Sequence, residues 1–181
     1  MQKKTTNATF SHARALDAAY RATRYMVDWP GFPGGSLAIR IGDLHPLLDL
    51  WLDEVAVDYW CYLTAENPGS RRLSAGHNAD RTLALQRWLG KSDRPFLGGE
   101  SIADTGGWPA ETSFLIGGLD RAEVAMLAAR WEQNAVVEGR RGAVARLTWL
   151  ARTDQADVTM AADEYYNGKM SPGRRFLQEK K

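Results

Sequence analysis

The segment between Val57 and Glu138 constrains the fold most, because strand and helix patterns alternate there in a definite order. Val57 to Ala65 is rich in β-branched and aromatic residues, as a buried strand is. It is followed by the turn sequence Asn-Pro-Gly-Ser at residues 67–70. The predicted order is strand, helix, strand, strand, helix, strand, over residues 57–65, 74–89, 95–100, 112–116, 120–131 and 135–138. This is the split βαβ pattern, so the sequence predicts an α+β fold of the ferredoxin-like sandwich type.

Flanking strands are expected to widen this sheet. Residues 37–41 alternate apolar and polar side chains, and residues 143–150 form a hairpin with 135–138 across a Gly-Arg-Arg-Gly turn. Residues 23–27 fit either a helix or a strand; they are interpreted as a strand, which would pair with 37–41 across a Pro/Gly loop. The sequence thus predicts extra strands on the split βαβ unit.

Helices are also expected outside the central segment, near residues 11–20, 46–51 and 155–166. The expected organisation is a single α+β domain over residues 1–152. A C-terminal helix and basic tail over residues 153–181 would follow it.

Composition and charge exclude several classes of protein. The chain is 44% hydrophobic and 25% charged with a net charge of +1, so no large field draws it to nucleic acid or to an anionic membrane. No apolar stretch approaches the ~20 residues that span a bilayer, and the first residues lack the apolar core of a signal peptide. A cytoplasmic location is therefore expected.

The single cysteine, Cys61, excludes an internal disulfide and is interpreted as an inert core thiol.

The predicted topology brings distant polar residues to one edge of the sheet. The first strand of a split βαβ sheet sits between the third and fourth, so the end of 57–65 should lie beside the starts of 112–116 and 135–138. The helix at 74–89 begins at the same edge. The residues expected to bind a ligand there are Asn67, Ser70, Arg72, Asn78, Arg81, Trp108, Ser113, Gln133 and Asn134, with Glu111 as the candidate catalytic residue.

The residue types at this edge suggest a chemistry. Arg72, Arg81 and the helix N-terminus would favour a phosphate or carboxylate, and Glu111 is the candidate general base or cation partner. The polar residues at this edge also have structural alternatives. Asn67 is an ordinary turn residue, Ser74 an ordinary helix cap, and Glu111 with Arg81 would make a structural ion pair.

Motifs for well-known chemistries are absent. The sequence contains no G-x-S-x-G, G-x-G-x-x-G, P-loop or H-E-x-x-H. Its three histidines fall on separate elements, so no metal site is predicted and no cofactor is assigned. Glycine pairs, among them Gly98-Gly99, are interpreted as turns at the ends of elements.

Several local motifs resemble a bacterial family of unknown function, the one numbered 3293, over about residues 20–138. The residues that carry the resemblance are 62–68 (YLTAENP), Asn78, Arg81, 108–113 (WPAETS) and 131–135 (WEQNA). The family commonly has phenylalanine at the position of Trp131. The resemblance implies no activity, and the helix before Tyr20 would be an addition. It does match motifs at Asn67, Glu111, Ser113 and Gln133, which the topology also brings together.

Two functions are compatible with these patterns. The first is binding of, and catalysis on, a small anionic metabolite or nucleotide at the polar edge; the residues leave open whether the chain is an enzyme. The alternative is a protein- or nucleic-acid-interaction module without catalysis, which would bind through an exposed aromatic surface and the basic tail after residue 168. The mostly apolar strands disfavour nucleic acid. The apolar edge strand 143–150 leaves both a monomer and a homodimer open.

Overall fold

A computed structural model of the chain describes residues 13–150. Its helices are α1 (residues 13–21), α2 (Pro46–Glu54), α3 (Ala75–Leu89) and α4 (Arg121–Arg130). Its strands are β1 (Thr23–Asp28), β2 (Ser36–Ile39), β3 (Tyr59–Thr64), β4 (Phe96–Ala103), β5 (Glu111–Gly117), β6 (Ala135–Arg140) and β7 (Arg146–Trp149). The helix near 155–166 and the basic tail lie outside the described residues. None of the described helices is long and apolar enough to cross a membrane.

The seven strands form one antiparallel sheet in the order β2-β1-β4-β5-β3-β6-β7. β3 lies between β5 and β6, the arrangement that was expected of the first strand of the central segment. The predicted pairing of β1 with β2 and the hairpin of β6 with β7 are also confirmed. The pairing of β1 with β4, which joins the N-terminal strands to the sheet, was not predicted. The fold is therefore a mixed α/β fold built on one antiparallel sheet.

Side-chain caps fix where two of the helices begin. The Ser74 Oγ accepts a hydrogen bond from the His77 amide at the start of α3, as the cap prediction required. α4 begins with a capping box, in which the Asp120 and Glu123 side chains each accept a hydrogen bond from the other residue's backbone amide. These bonds satisfy amides that would otherwise lack a partner at a helix N-terminus.

One face of the sheet packs against α3 and α4. Leu85 and Leu89 of α3 and Leu127 of α4 are fully buried there with Cys61 of β3. Each buried leucine contributes roughly 1.5–3 kcal/mol relative to its exposed state. Burial raises the pKa of the Cys61 thiol, which agrees with an inert core residue.

Leu83 of α3 lies outside this apolar face, since 51% of its surface is exposed. Leu83 precedes Leu85 by two positions. Two positions turn an α-helix by about 200°, which places the two side chains on opposite sides of α3.

The other face of the sheet is covered by two helices at different ends. α2 packs Leu48, Trp51 and Leu52 in one core cluster with Trp60 of β3. Towards the other end, α1 covers the sheet near Tyr25, and a cavity remains beneath that helix.

Gly99 allows the sheet to curl over this face. Gly98 and Gly99 lie inside β4, so the prediction of a turn at this pair is wrong. The Tyr62 hydroxyl, on β3, donates a hydrogen bond to the Met26 carbonyl of β1, with O–O distance 2.5 Å, across the two strands between them. A Cβ on Gly99 would lie 1.9 Å from the Met26 oxygen and 3.0 Å from the Tyr62 hydroxyl. A residue without a side chain is needed at this crossing.

We expect Gly99→Ala to lower the free energy of unfolding by about 1–3 kcal/mol, the usual cost of overpacking. The matched control is Gly98→Ala, whose added Cβ would meet no atom within 4 Å. That variant should stay within about 0.5 kcal/mol of wild type. Urea denaturation measures both, and equal stabilities would contradict this account of the crossing.

Candidate functional site

A cavity of about 160 Å³ lies beneath α1 at the predicted polar edge of the sheet. Of the residues proposed from the sequence, those that line it are Asn67, Ser70, Trp108, Glu111 and Gln133. Most of the remaining wall is apolar or aromatic: Leu16, Ala19, Tyr20, Tyr25, Tyr62, Leu63, Ala103, Ala135, Val136 and Val137. The cavity therefore combines an apolar body with a few polar groups at one end.

Glu111 is the only carboxylate among the described residues that line this cavity. It is the first residue of β5, where the preceding loop brings Trp108 beside it. Its Oε1 accepts hydrogen bonds from Asn67 Nδ2 at 2.6 Å and from Trp108 Nε1 at 2.8 Å. Both bonds fall on Oε1, so Oε2 has no hydrogen-bond partner among residues 13–150. One carboxylate oxygen is thus available to a ligand.

Burial raises the pKa of Glu111 above its ordinary value, because it removes the charged form from water. The hydrogen bonds from Asn67 and Trp108 oppose this effect, and the nearby Glu66 carboxylate adds to it. Perturbed acidic groups in clefts are typical of functional sites, although structural networks produce them too. The position of Glu111 in the cavity and the rise in its pKa both make it the candidate functional residue.

Asn67 holds Glu111 in place. Its backbone has φ of 47°, in the left-handed region that asparagine tolerates better than most residues. Its side-chain Oδ1 accepts hydrogen bonds from the Leu73 backbone amide at 2.9 Å and from Asn78 Nδ2 at 3.0 Å. The backbone amide of Asn67 donates to Asn78 Oδ1 at 3.0 Å. Asn78 does not line the cavity. It supports Asn67 from the first turns of α3.

Three tyrosines supply the aromatic part of the wall. The rings of Tyr25 and Tyr62 meet edge to face with centroids 5.4 Å apart. The Tyr25 hydroxyl donates to the Tyr20 carbonyl at 2.8 Å, and the Tyr62 hydroxyl donates to Met26 as described above. Burial raises the pKa of all three phenols, so they stay protonated at neutral pH.

Trp108 stands at the mouth of the cavity, since it lines the cavity and keeps 36% of its surface exposed. The Arg72 guanidinium lies over its ring, 4.8 Å from the centroid, and donates a hydrogen bond to the Gly107 carbonyl. Arg72 itself does not line the cavity. Its contacts position the loop that carries Trp108.

Arg81 is committed to backbone and surface partners. Its Nε donates to the Ala65 carbonyl at 2.6 Å, and NH2 donates to the Trp131 carbonyl at 2.8 Å. Its NH1 pairs with Glu132 at 3.0 Å. The alternative of an ion pair between Arg81 and Glu111 is therefore wrong. Arg81 ties α3 to the end of β3 and to the turn after α4, at a distance from the cavity lining.

The remaining predicted residues divide between the wall and its support. Ser70 lines the cavity and accepts a hydrogen bond from Asn134 Nδ2 at 2.9 Å; Asn134 lies behind it. Gln133 lines the cavity and donates to the carbonyls of Glu66 and Trp131. Ser113 is fully buried and does not line the cavity. Its Oγ lies 2.9 Å from the Oγ of Ser101, a wall residue, so Ser113 supports the wall through a hydrogen bond with that side chain.

The wall formed by α1 and β1 was not predicted from the sequence. Leu16, Ala19 and Tyr20 come from α1, and Thr23 and Tyr25 follow it in β1. The apolar spacing of α1 indicated a helix but not the sheet face that it covers. The pairing of β1 with β4, which places these residues over the polar edge, has no signal in the local sequence.

The lining has no basic side chain: among the described residues, none of those around the cavity is Lys, Arg or His. The same part of the chain contains no group of three or more His, Cys, Asp or Glu side chains that could hold a metal ion. The cavity therefore offers hydrogen-bond acceptors, aromatic rings and one carboxylate.

Residues 63–136 match the model of a family described as "Protein of unknown function (DUF3293)". The match confirms the resemblance to that family over a shorter stretch than residues 20–138. It includes Asn67, Trp108, Glu111 and Gln133 and excludes α1 and β1. No curated protein and no solved structure matches the chain significantly.

We expect Glu111→Gln to remove a pH-dependent part of the stability. The folded state raises the pKa of Glu111, so its contribution to the free energy of unfolding is full below the unfolded value of about 4.3 and is lost as pH rises through the folded value. Glutamine keeps the acceptor oxygen without titrating. The Tm of the variant minus that of wild type should therefore increase from about pH 4 to pH 7.

Thermal unfolding monitored by circular dichroism over that range tests the expectation. Glu54→Gln, at an exposed position on α2, is the control for loss of one carboxylate. A difference in Tm that stays constant or decreases with rising pH would show that burial does not dominate at Glu111.

Proposed function

We propose that residues 13–150 form a small-molecule binding domain whose ligand enters the cavity beneath α1. The observation that carries this proposal is the Glu111 carboxylate in a largely apolar cavity with Oε2 left without a described partner. Apolar pockets with a few convergent polar groups are the usual form of ligand sites. Glu111 would anchor the polar group of the ligand, and the aromatic wall would enclose its body.

The volume of the cavity limits the size of the ligand. An engineered cavity of about 150 Å³ in another protein binds benzene, and this cavity measures about 160 Å³. A ligand with one ring, or an alkyl group of similar volume, fits such a space. A whole nucleotide would have to extend well beyond the mouth at Trp108.

The residues around the cavity give no support to an anionic ligand. Arg72 is held by the Gly107 carbonyl and the Trp108 ring, and Arg81 by Ala65, Trp131 and Glu132. A carboxylate or phosphate placed beside Glu111 would meet a like charge. The lining favours a neutral or cationic ligand.

The proposal is confined to binding. Glu111 would be able to accept a proton from a bound molecule, but the wall phenols are held neutral and supply no second base. The order of β3, α3, β4, β5, α4 and β6 supports a ferredoxin-like, split βαβ classification of the domain. The alternative of an interaction module stays a prediction, because its basic tail lies outside the described residues.

We expect Ala103→Phe to abolish binding by filling the cavity. Ala103 lines the cavity near the end of β4. A thermal-shift screen of ring-sized compounds would first identify those that raise the Tm of wild type. A ligand at about 100 times its Kd stabilises a fold by roughly 2.7 kcal/mol, which such a screen detects. The same compounds should leave the Tm of Ala103→Phe unchanged.

Ala38→Phe is the matched control, because Ala38 is an exposed strand residue on β2, away from the cavity. It should respond to the compounds as wild type does. Shifts that persist in Ala103→Phe would place the binding site elsewhere. A screen with no shift in wild type would count against the proposal.

A further inference from the structure

We infer that the cavity takes a small organic ammonium ion, with the charged nitrogen at Glu111 Oε2 and a ring-sized apolar body against the tyrosines. This inference rests on the proposed function and names the ligand class of that same site. Four features of the site support it: the unpaired carboxylate, the charges near it, the engagement of the hydrogen-bond donors around it, and the aromatic rings of the wall.

Glu111 is a largely buried carboxylate without a cationic partner in the described residues. Its two described hydrogen bonds come from the neutral groups Asn67 Nδ2 and Trp108 Nε1. Buried charges in proteins are normally paired with an opposite charge or coordinate a metal. A ligand ammonium at Oε2 would supply the missing pair and form a charge-assisted hydrogen bond.

The charges nearby are also of the sign that attracts a cation. The charged group that acts on Glu111 most noticeably is another carboxylate, Glu66, which is held by Thr82 and by the Thr112 amide. The Arg72 guanidinium of the adjoining loop lies over the Trp108 ring and donates to the Gly107 carbonyl. Two carboxylates, Glu66 and Glu111, thus lie near each other at the polar end of the cavity.

Several hydrogen-bond donors of the wall are already engaged by the backbone. The hydroxyls of Tyr25, Tyr62, Thr23 and Thr64 each donate to a backbone carbonyl. The Gln133 amide also donates to backbone carbonyls. A bound anion would need these donors, whereas an ammonium ion brings three of its own. The wall is thus suited to a ligand that donates hydrogen bonds.

The aromatic rings of the wall also suit an ammonium ligand. Tyr20, Tyr25, Tyr62 and Trp108 line the cavity, and the hydroxyls of Tyr25 and Tyr62 are engaged by carbonyls. Their faces carry negative electrostatic potential, which attracts ammonium groups in many binding sites. The same rings provide apolar contact area for the body of the ligand.

Three probes of the same shape but different charge test the inference: benzylamine, benzyl alcohol and benzoate. Isothermal titration of the full chain near neutral pH would measure the Kd of each. Benzylamine should bind at least about tenfold more tightly than benzyl alcohol, the low end of what a hydrogen bond to a charged group contributes. Benzoate should bind most weakly.

Glu111→Gln should reduce the Kd advantage of benzylamine over benzyl alcohol to less than about twofold. Glu54→Gln, the exposed control, should keep the full advantage. Circular dichroism of the Glu111→Gln variant, together with its retained affinity for benzyl alcohol, would show that its fold is intact.

The outcomes separate this inference from the proposed function. If benzyl alcohol or benzoate binds as tightly as benzylamine, or if the amine keeps its advantage in Glu111→Gln, the inference is overturned while the cavity remains a binding site. If no probe binds wild type, both the inference and the proposed function are contradicted.

Discussion

The side-chain amide of Asn67 joins three parts of the fold, and the site depends on it. Its oxygen accepts hydrogen bonds from the chain that enters α3 and from Asn78 within that helix, while its nitrogen donates to Glu111 at the start of β5. Only 3% of its surface is exposed, so a lost bond would leave a buried polar group unsatisfied. The turn after β3, the first turns of α3 and the acidic end of β5 are thereby held in one geometry.

The neighbouring turns are tied to the same point. The Gly69 amide donates to the Glu132 carbonyl at 2.7 Å, which connects the turn after β3 with the turn after α4. Arg81 bridges the same two segments through Ala65 and Trp131. The Arg81 guanidinium thus connects these two segments of the chain. It fixes the edge of the sheet so that neutral donors can hold a carboxylate within the protein.

Much of this edge could be predicted from the sequence, because it follows from local patterns and one topological rule. Strand and helix periodicity located β3, α3, β5 and β6, and the pairing of the first strand with the third and fourth brought Asn67, Glu111 and Gln133 together. The rest depends on contacts between segments distant in the chain. The commitment of Arg81 to backbone carbonyls, the crossing of Tyr62 over Gly99 and the position of α1 have no local signature.

The position of α1 decides which stretches of the sequence shape the cavity. Residues 63–136, which match the family, carry Glu111 and its supports, whereas α1 and β1 lie outside the matched segment. Glu111 and the helix that covers the cavity thus come from different stretches of the sequence. Substitutions at Leu16 or Ala19 would change the shape of the cavity without removing any of the hydrogen bonds at Glu111 and Asn67. The shape of the cavity and the hydrogen bonding of its carboxylate can therefore be altered independently of each other.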